Sequence, residues 1–221
     1  ADVFDPVEIA KAQPNWHLMN QSEVLKMAED AKRMPSREAS YRNYICNQQV
    51  EANNPFVTRS VWLSNGSAPE PLDGQRIWAG LDLSSVSDLT ALVLVTEGGD
   101  VHPTFWLPGE GLAEKSRNDR VPYDLYREQG FLQTTPGRAI EYEYIATYLR
   151  DLFDAQNIVS LAFDRYNMRF LKPWLEKVGF SDDELEKFVD FGQGFVSMSP
   201  ALRELETQLL SAKLKHGNHP L

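Results

Sequence analysis

Three features of this 221-residue chain predict an α/β fold in which one mixed sheet is flanked by helices. Apolar segments at 76–83, 90–96 and 101–107 follow one another across short turns, the spacing of an antiparallel three-strand meander. A helical periodicity through Ile140, Tyr144, Ile145, Tyr148, Leu149, Leu152 and Phe153 then leads into a second kind of apolar run at 158–163. That helix-then-strand order belongs to α/β units with parallel pairing. Before all of these lies a small helical segment.

Taken from the N-terminus, Asp5 and Pro6 read as the cap and first position of a helix. Val24, Leu25, Met27, Ala28 and Ala31 give an amphipathic pattern over 22–33, which Pro35 stops. Ser36 caps a third stretch, 37–48, with Ala39, Tyr41, Tyr44 and Ile45 on its buried side. From 51 to 75 the composition turns to Asn, Pro, Gly and Ser, the texture of a linker or irregular wrap. A boundary near residue 72 separates residues 1–72, a helical linker or subdomain, from residues 73–221. In the meander, Pro103 marks an edge position. A short strand and turn is expected over 131–137 and a helix over 168–177. Ser181 to Glu184 reads as a helix start, and Phe191 to Phe195 as a turn. The last helix opens at Ser199-Pro200, with Leu202, Leu205, Leu209 and Leu214 facing inward. The chain has no internal repeat.

Composition excludes several classes. The net charge of −10 argues against a general nucleic-acid coat, because phosphate affinity needs local Lys and Arg. It leaves room for acidic residues that hold a metal beside a local basic strip. The single Cys46 forms no internal disulfide and fits a reducing compartment. No apolar stretch reaches the ~20 residues a membrane helix needs, and no signal-peptide pattern opens the chain.

Asp82 and Asp164 each stand at the polar end of an apolar run. A carboxylate there costs several kcal/mol to desolvate unless something positive meets it, about the scale of a buried unpaired ion. No Lys or Arg follows Asp82 within four residues. A divalent cation shared by both carboxylates would neutralise them and supply a catalyst, and hard oxygen ligands suit Mg²⁺ or Mn²⁺. One aspartate in the first strand of a meander, and another ending a later parallel strand, is the plan of the ribonuclease H-like fold. Two ions about 3.5–4 Å apart could there orient a water for in-line attack on a phosphodiester. The other reading makes each Asp a cap or turn residue. Asp88 is a loop residue close enough to assist a metal. Glu141 and Glu143 are either an additional ligand or a solvated helix face. One Cys and scattered His make no zinc set.

The segments 80–84 (GLDLS), 88–92 (DLTAL), 162–166 (AFDRY) and 192–201 (GQGFVSMSPA) resemble, in that order, the nuclease domain of the large terminase subunits of tailed bacteriophages. The stretch 37–48 resembles the segment that leads out of the family's ATPase domain, so the likeness covers nearly the whole chain. It implies a DNA-packaging enzyme of the host cytoplasm that cuts concatemeric double-stranded DNA with two metal ions. Asp82 and Asp164 match the family's first two metal aspartates. The third acidic ligand of the family lies on a helix past the region matching 192–221, so the nuclease domain is expected to be C-terminally incomplete, and the resemblance does not imply that this chain cuts DNA by itself. A portal protein, a small terminase subunit and a homo-oligomeric motor are the implied partners. No Gly-Lys pair occurs, so no phosphate-cradling ATP loop is present.

For the DNA side, Arg165, Arg169, Lys172 and Lys177 follow Asp164 as phosphate contacts, with Asn167 as a further donor, and the resemblance implies that Gln193 and Gly194 lie in a DNA-side loop. Surface charge is the alternative for all but Arg165. Lys213, Lys215, His216 and His219 make a weak basic tail, and the tryptophans read as packing residues. Two other functions share these features. One is a resolvase or transposase of the ribonuclease H superfamily, which the acidic balance counts against. The other is a non-catalytic docking or regulatory module of the packaging motor.

Overall fold

The computed structural model describes residues 3–33, 41–48 and 56–221. Residues 34–40, including the stop at Pro35 and the cap at Ser36, lie outside the described residues, as does 49–55. The chain divides into two compact units, residues 1–58 and 59–221.

In the first unit, α1 (Pro6–Ala12) starts where Asp5 accepts a hydrogen bond from the Val7 backbone N–H at 2.8 Å. A 3₁₀ turn (Trp16–Leu18) and α2 (Gln21–Arg33) follow. Ile9, Val24, Ala28, Ala31, Tyr41 and Ile45 form a small apolar cluster of their own.

The second unit opens with α3 (Arg59–Ser64), a helix inside the segment that composition marks as irregular. Tertiary contact, not propensity, holds this short element. Asn65, at its end, is fully buried. Its amide donates to the Val61 and Leu209 carbonyls and its oxygen accepts from the Leu214 N–H. Pattern reading marks this stretch only as linker-like and has no means of finding distant partners.

The sheet comprises β1 (Arg76–Asp82), β2 (Thr90–Thr96), β3 (Val101–Pro108), β4 (Gln133–Thr135), β5 (Asn157–Phe163) and β6 (Phe188–Asp190). Their order is β4-β3-β2-β1-β5-β6. β1, β2 and β3 pair antiparallel, while β5 lies parallel to β1, and β4 and β6 extend the two edges in parallel. The meander and the parallel fifth strand are those the sequence predicts. Pro103 sits opposite Val93 at a point beyond the reach of β4, which pairs only from Trp106 on, so its missing N–H costs no ladder bond on that side. β6 is three residues long, too short to carry a readable alternation.

The helices are α4 (Leu112–Asp119), α5 (Tyr123–Glu128), α6 (Tyr142–Ala155), α7 (Arg165–Lys177), α8 (Asp182–Leu185) and α9 (Phe195–Leu210). Ile145, Ala146 and Leu149 of α6, with Leu171 and Leu175 of α7, close over Ile77, Leu92, Leu94 and Leu161 of one sheet face. The opposite face carries Gly80, Ala91, Val93 and Ala162, and stays partly open to solvent. Leu107, Leu112, Tyr123 and Leu132 form a separate cluster under α4 and α5. α9 begins four residues before the predicted Ser199, and Pro200 lies inside it. Leu209 is buried in α9, but Leu202 and Leu205 are exposed, so the inward face expected of this helix is confined to its last turn. No helix among the described residues is long and apolar enough to cross a membrane.

Candidate functional site

β1 and β5 run side by side with Leu81 opposite Phe163. Asp82 and Asp164 are each the next residue, so they occupy neighbouring positions on strands about 4.8 Å apart. Leu81 and Phe163 point into the core. Side chains alternate along a strand, so both carboxylates turn to the opposite, open face. They line one cleft of about 330 Å³ with Gly80, Ala91, Val93, Ala162, Phe191 and Gln193. The floor of that cleft is made of small residues. At Gly80 a Cβ would meet no atom within 4 Å, so the strand leaves open space directly beneath the carboxylates.

The electrostatic reason for the pairing differs from the one the sequence suggests. Asp82 is exposed and Asp164 half-buried, so desolvation is not what calls for a cation. Two like charges at adjacent strand positions are. Among the described residues neither carboxylate forms an ion pair. Asp164 Oδ1 accepts from the Tyr166 N–H at 3.2 Å and caps α7. Capping and metal binding are therefore compatible, since the second carboxylate oxygen has no protein partner among the described residues.

The remaining candidates separate. Asp88 pairs with Lys115 Nζ at 3.8 Å, away from the cleft lining. Glu143 accepts from Lys177 Nζ at 2.9 Å and lines a different groove with Trp106, Gln133 and Tyr148. Glu141 is the residue preceding α6 and is absent from the cleft as well. Among the described residues no group of three or more His, Cys, Asp or Glu gathers as a ligand set. Gln193 lines the cleft, and Gly194 is the N-cap residue of α9. Lys172 is exposed on α7. Arg169 lies over the rings of Tyr166 and Phe170 at 5.7 and 4.6 Å. The side chain of Arg165 lies outside the described residues. Asn167 spends its amide on the Leu83 carbonyl at 2.6 Å, which turns it away from the donor role expected toward phosphate. The tail is occupied too. Lys215 pairs with Asp100, the buried His216 stacks on Trp62, and His219 contacts Phe105 and Phe131.

Sequence reasoning missed the cleft floor and read Phe191 only as the start of a turn. The glycine inside strand 76–82 was the available signal, because an interior strand glycine marks a place where something approaches closely.

The residues present fit a hard divalent ion. Mg²⁺ is commonly held by one or two carboxylates while water and substrate phosphate complete its octahedron, and two carboxylates above an open floor, without an ion pair among the described residues, provide that.

A family model described as "Terminase large subunit, endonuclease domain" matches residues 1–221. The large subunit of the terminase of Enterobacteria phage HK97 is 38% identical over 207 residues, covering 91% of this chain and 40% of that protein. Protein YmfN of Escherichia coli K12 is 22% identical over 236 residues, with 100% of this chain and 50% of that protein covered. The crystal structure of the HK97 large terminase matches with a TM-score of 0.68 at 35% identity, over all of this chain and 46% of that one. The fold is thus ribonuclease H-like, and the chain spans about half, or less, of the length of the relatives it matches.

Proposed function

Because this chain belongs to the terminase large subunit endonuclease family, we propose that it hydrolyses phosphodiester bonds of concatemeric double-stranded DNA during viral genome packaging, using Mg²⁺ or Mn²⁺ held by Asp82 and Asp164. The observation that carries this reading is the side-by-side placement of the two carboxylates on the open face of β1 and β5. When bound, such ions activate water and polarise phosphate oxygens.

The chain's own residues do the rest. Asp82 and Asp164 supply negative charge at the strand ends, and Gly80, Ala91 and Ala162 keep the floor low enough for a phosphate to approach. Gln193 offers a neutral amide at the cleft edge, while Lys172 and Arg169 place positive charge along α7 for the DNA backbone. Cofactor identity, a two-ion site, and the portal protein, small terminase subunit and oligomeric motor as partners in the host cytoplasm form part of the same proposal. So does the division at residue 72 between a linker segment and the nuclease domain.

Titration calorimetry with Mn²⁺ tests it. The unsubstituted chain is expected to bind Mn²⁺, and Asp82→Asn and Asp164→Asn are each expected to weaken binding at least about tenfold, 1.4 kcal/mol. Mn²⁺-dependent nicking of supercoiled plasmid should fall with them. A second reading, a docking or regulatory module of the motor, draws support from the lack of a third gathered ligand among the described residues. It expects no Mn²⁺ heat at all.

A further inference from the structure

The segment that leaves β1 immediately after Asp82 is held by three different elements. Tyr142 of α6 donates its hydroxyl to the Ser84 carbonyl at 2.7 Å. Thr90 of β2 accepts from the Ser84 N–H at 3.0 Å. Asn167 of α7 donates its amide to the Leu83 carbonyl at 2.6 Å. The third bond differs in kind from the other two. Asn167 stands in the first turn of the helix that Asp164 caps, and Leu83 is the residue after Asp82. One side chain therefore ties the backbone beside one carboxylate to the helix led by the other.

Among the described residues, two atoms at this junction have no protein partner: Asn167 Oδ1 and Ser84 Oγ are both buried and unpaired there. Buried polar groups are nearly always satisfied, and those left over tend to mark bound solvent or a functional constraint. An amide needed only for packing could be replaced by an apolar side chain, which would remove the cost of the stranded oxygen. Keeping an amide there makes sense when its donor half performs a task that no apolar group can.

We propose that Asn167 is a positioning residue: by linking the Leu83 carbonyl to the first turn of α7 it fixes the separation at which Asp82 and Asp164 face a divalent ion, with Oδ1 and Ser84 Oγ available to hold a bound water behind them. The inference rests on the metal reading of the two aspartates. Groups behind metal ligands commonly change affinity by about 10–100-fold when removed, and that range is the expected effect here.

The test compares the unsubstituted chain with Asn167→Leu, which keeps the branched shape and removes both polar atoms, and with Asn167→Ala. Mn²⁺ affinity is measured by calorimetry at a temperature where circular dichroism shows every protein fully folded. Affinity at least tenfold weaker in either variant supports the assignment. Affinity within threefold of the unsubstituted chain, with only the melting temperature lowered, shows a merely structural bond and overturns it. Absence of Mn²⁺ binding in the unsubstituted chain removes the metal reading itself, and this inference with it. Should neither variant fold, a Mg²⁺ titration of the unsubstituted chain is followed on the side-chain amide resonance of Asn167. A signal protected from solvent and shifting to saturation with the metal supports the link. An amide in rapid exchange with water overturns it.

Discussion

At the scale of single residues, the two aspartates have different local duties, and stability separates them. Asp164 caps α7, so Asp164→Ala removes the acceptor for the Tyr166 N–H and is expected to cost about 1 kcal/mol. Asp164→Asn keeps the cap and should leave stability nearly unchanged. Among the described residues Asp82 has no protein partner, so Asp82→Asn is expected to be neutral or slightly stabilising, because it removes repulsion between neighbouring carboxylates. Urea denaturation of the three variants checks this ordering. Gly80 makes the complementary case. Its strand geometry is ordinary and its missing Cβ faces open space, so Gly80→Val should raise stability by up to about 1 kcal/mol. The same substitution fills the floor beneath the carboxylates. Mn²⁺ binding and nicking are expected to fall while the melting temperature holds or rises; unchanged cleavage would show that the cleft floor is not where substrate sits.

Among elements, the helix layer is joined by one guanidinium. Arg150 of α6 donates to Glu184 at 2.7 and 3.0 Å and to Asp154 at 2.7 and 3.2 Å, and lies 4.3 Å from the Phe180 ring centre. Glu184 in turn completes a capping box with Ser181 at the start of α8. The hydrogen bonds from Arg150, then those from Ser181, hold the Glu184 carboxyl at about 2, well below its ordinary range. Arg150→Ala should cost about 1.5–3 kcal/mol, the range for hydrogen bonds to charged groups, and chemical denaturation measures it. The capping box was legible because its four residues are contiguous. Arg150 as its anchor was not, since a partner 34 residues away leaves no local pattern. The same distinction explains α3 and β6. Both are short elements held by neighbours distant in sequence, whereas β2, a seven-residue strand with an unbroken apolar run from Ala91 to Val95, is found to the residue. In α9, leucine spacing alone led to an inward face that tertiary contact supports only at Leu209.

At the scale of the whole molecule, acid sensitivity follows from two carboxyls held low among the described residues. Burial pushes Asp100 up, but the Glu70 N–H, the Thr96 hydroxyl and Lys215 outweigh it and leave it below its ordinary value. Glu184 is lowered more strongly. A carboxyl that is lower in the folded state stabilises above its unfolded pKa, and that contribution is lost as protons bind. Stability from these groups should be constant above about pH 5 and decline as pH falls below about 4.5, through the folded value of about 2 for Glu184. In Arg150→Ala the decline should be shallower, which thermal melts between pH 3 and 7 would show. At this scale the sheet order and the pairing of Asp82 with Asp164 were legible because strand periodicity and the helix-then-strand order are strong, chain-long signals. The choice of which further acids join them was not. Asp88 and Glu143 are as close in sequence to the site as a ligand needs to be, and their side chains turn to Lys115 and Lys177 instead.

The most direct measurement is the anomalous diffraction of crystals of this chain soaked in Mn²⁺. The account expects a peak on the open face of the sheet within about 2 Å of a carboxylate oxygen of both Asp82 and Asp164, the metal–oxygen distance of a hard divalent ion. A peak at other side chains, or none beside these two aspartates at saturating Mn²⁺, would contradict it.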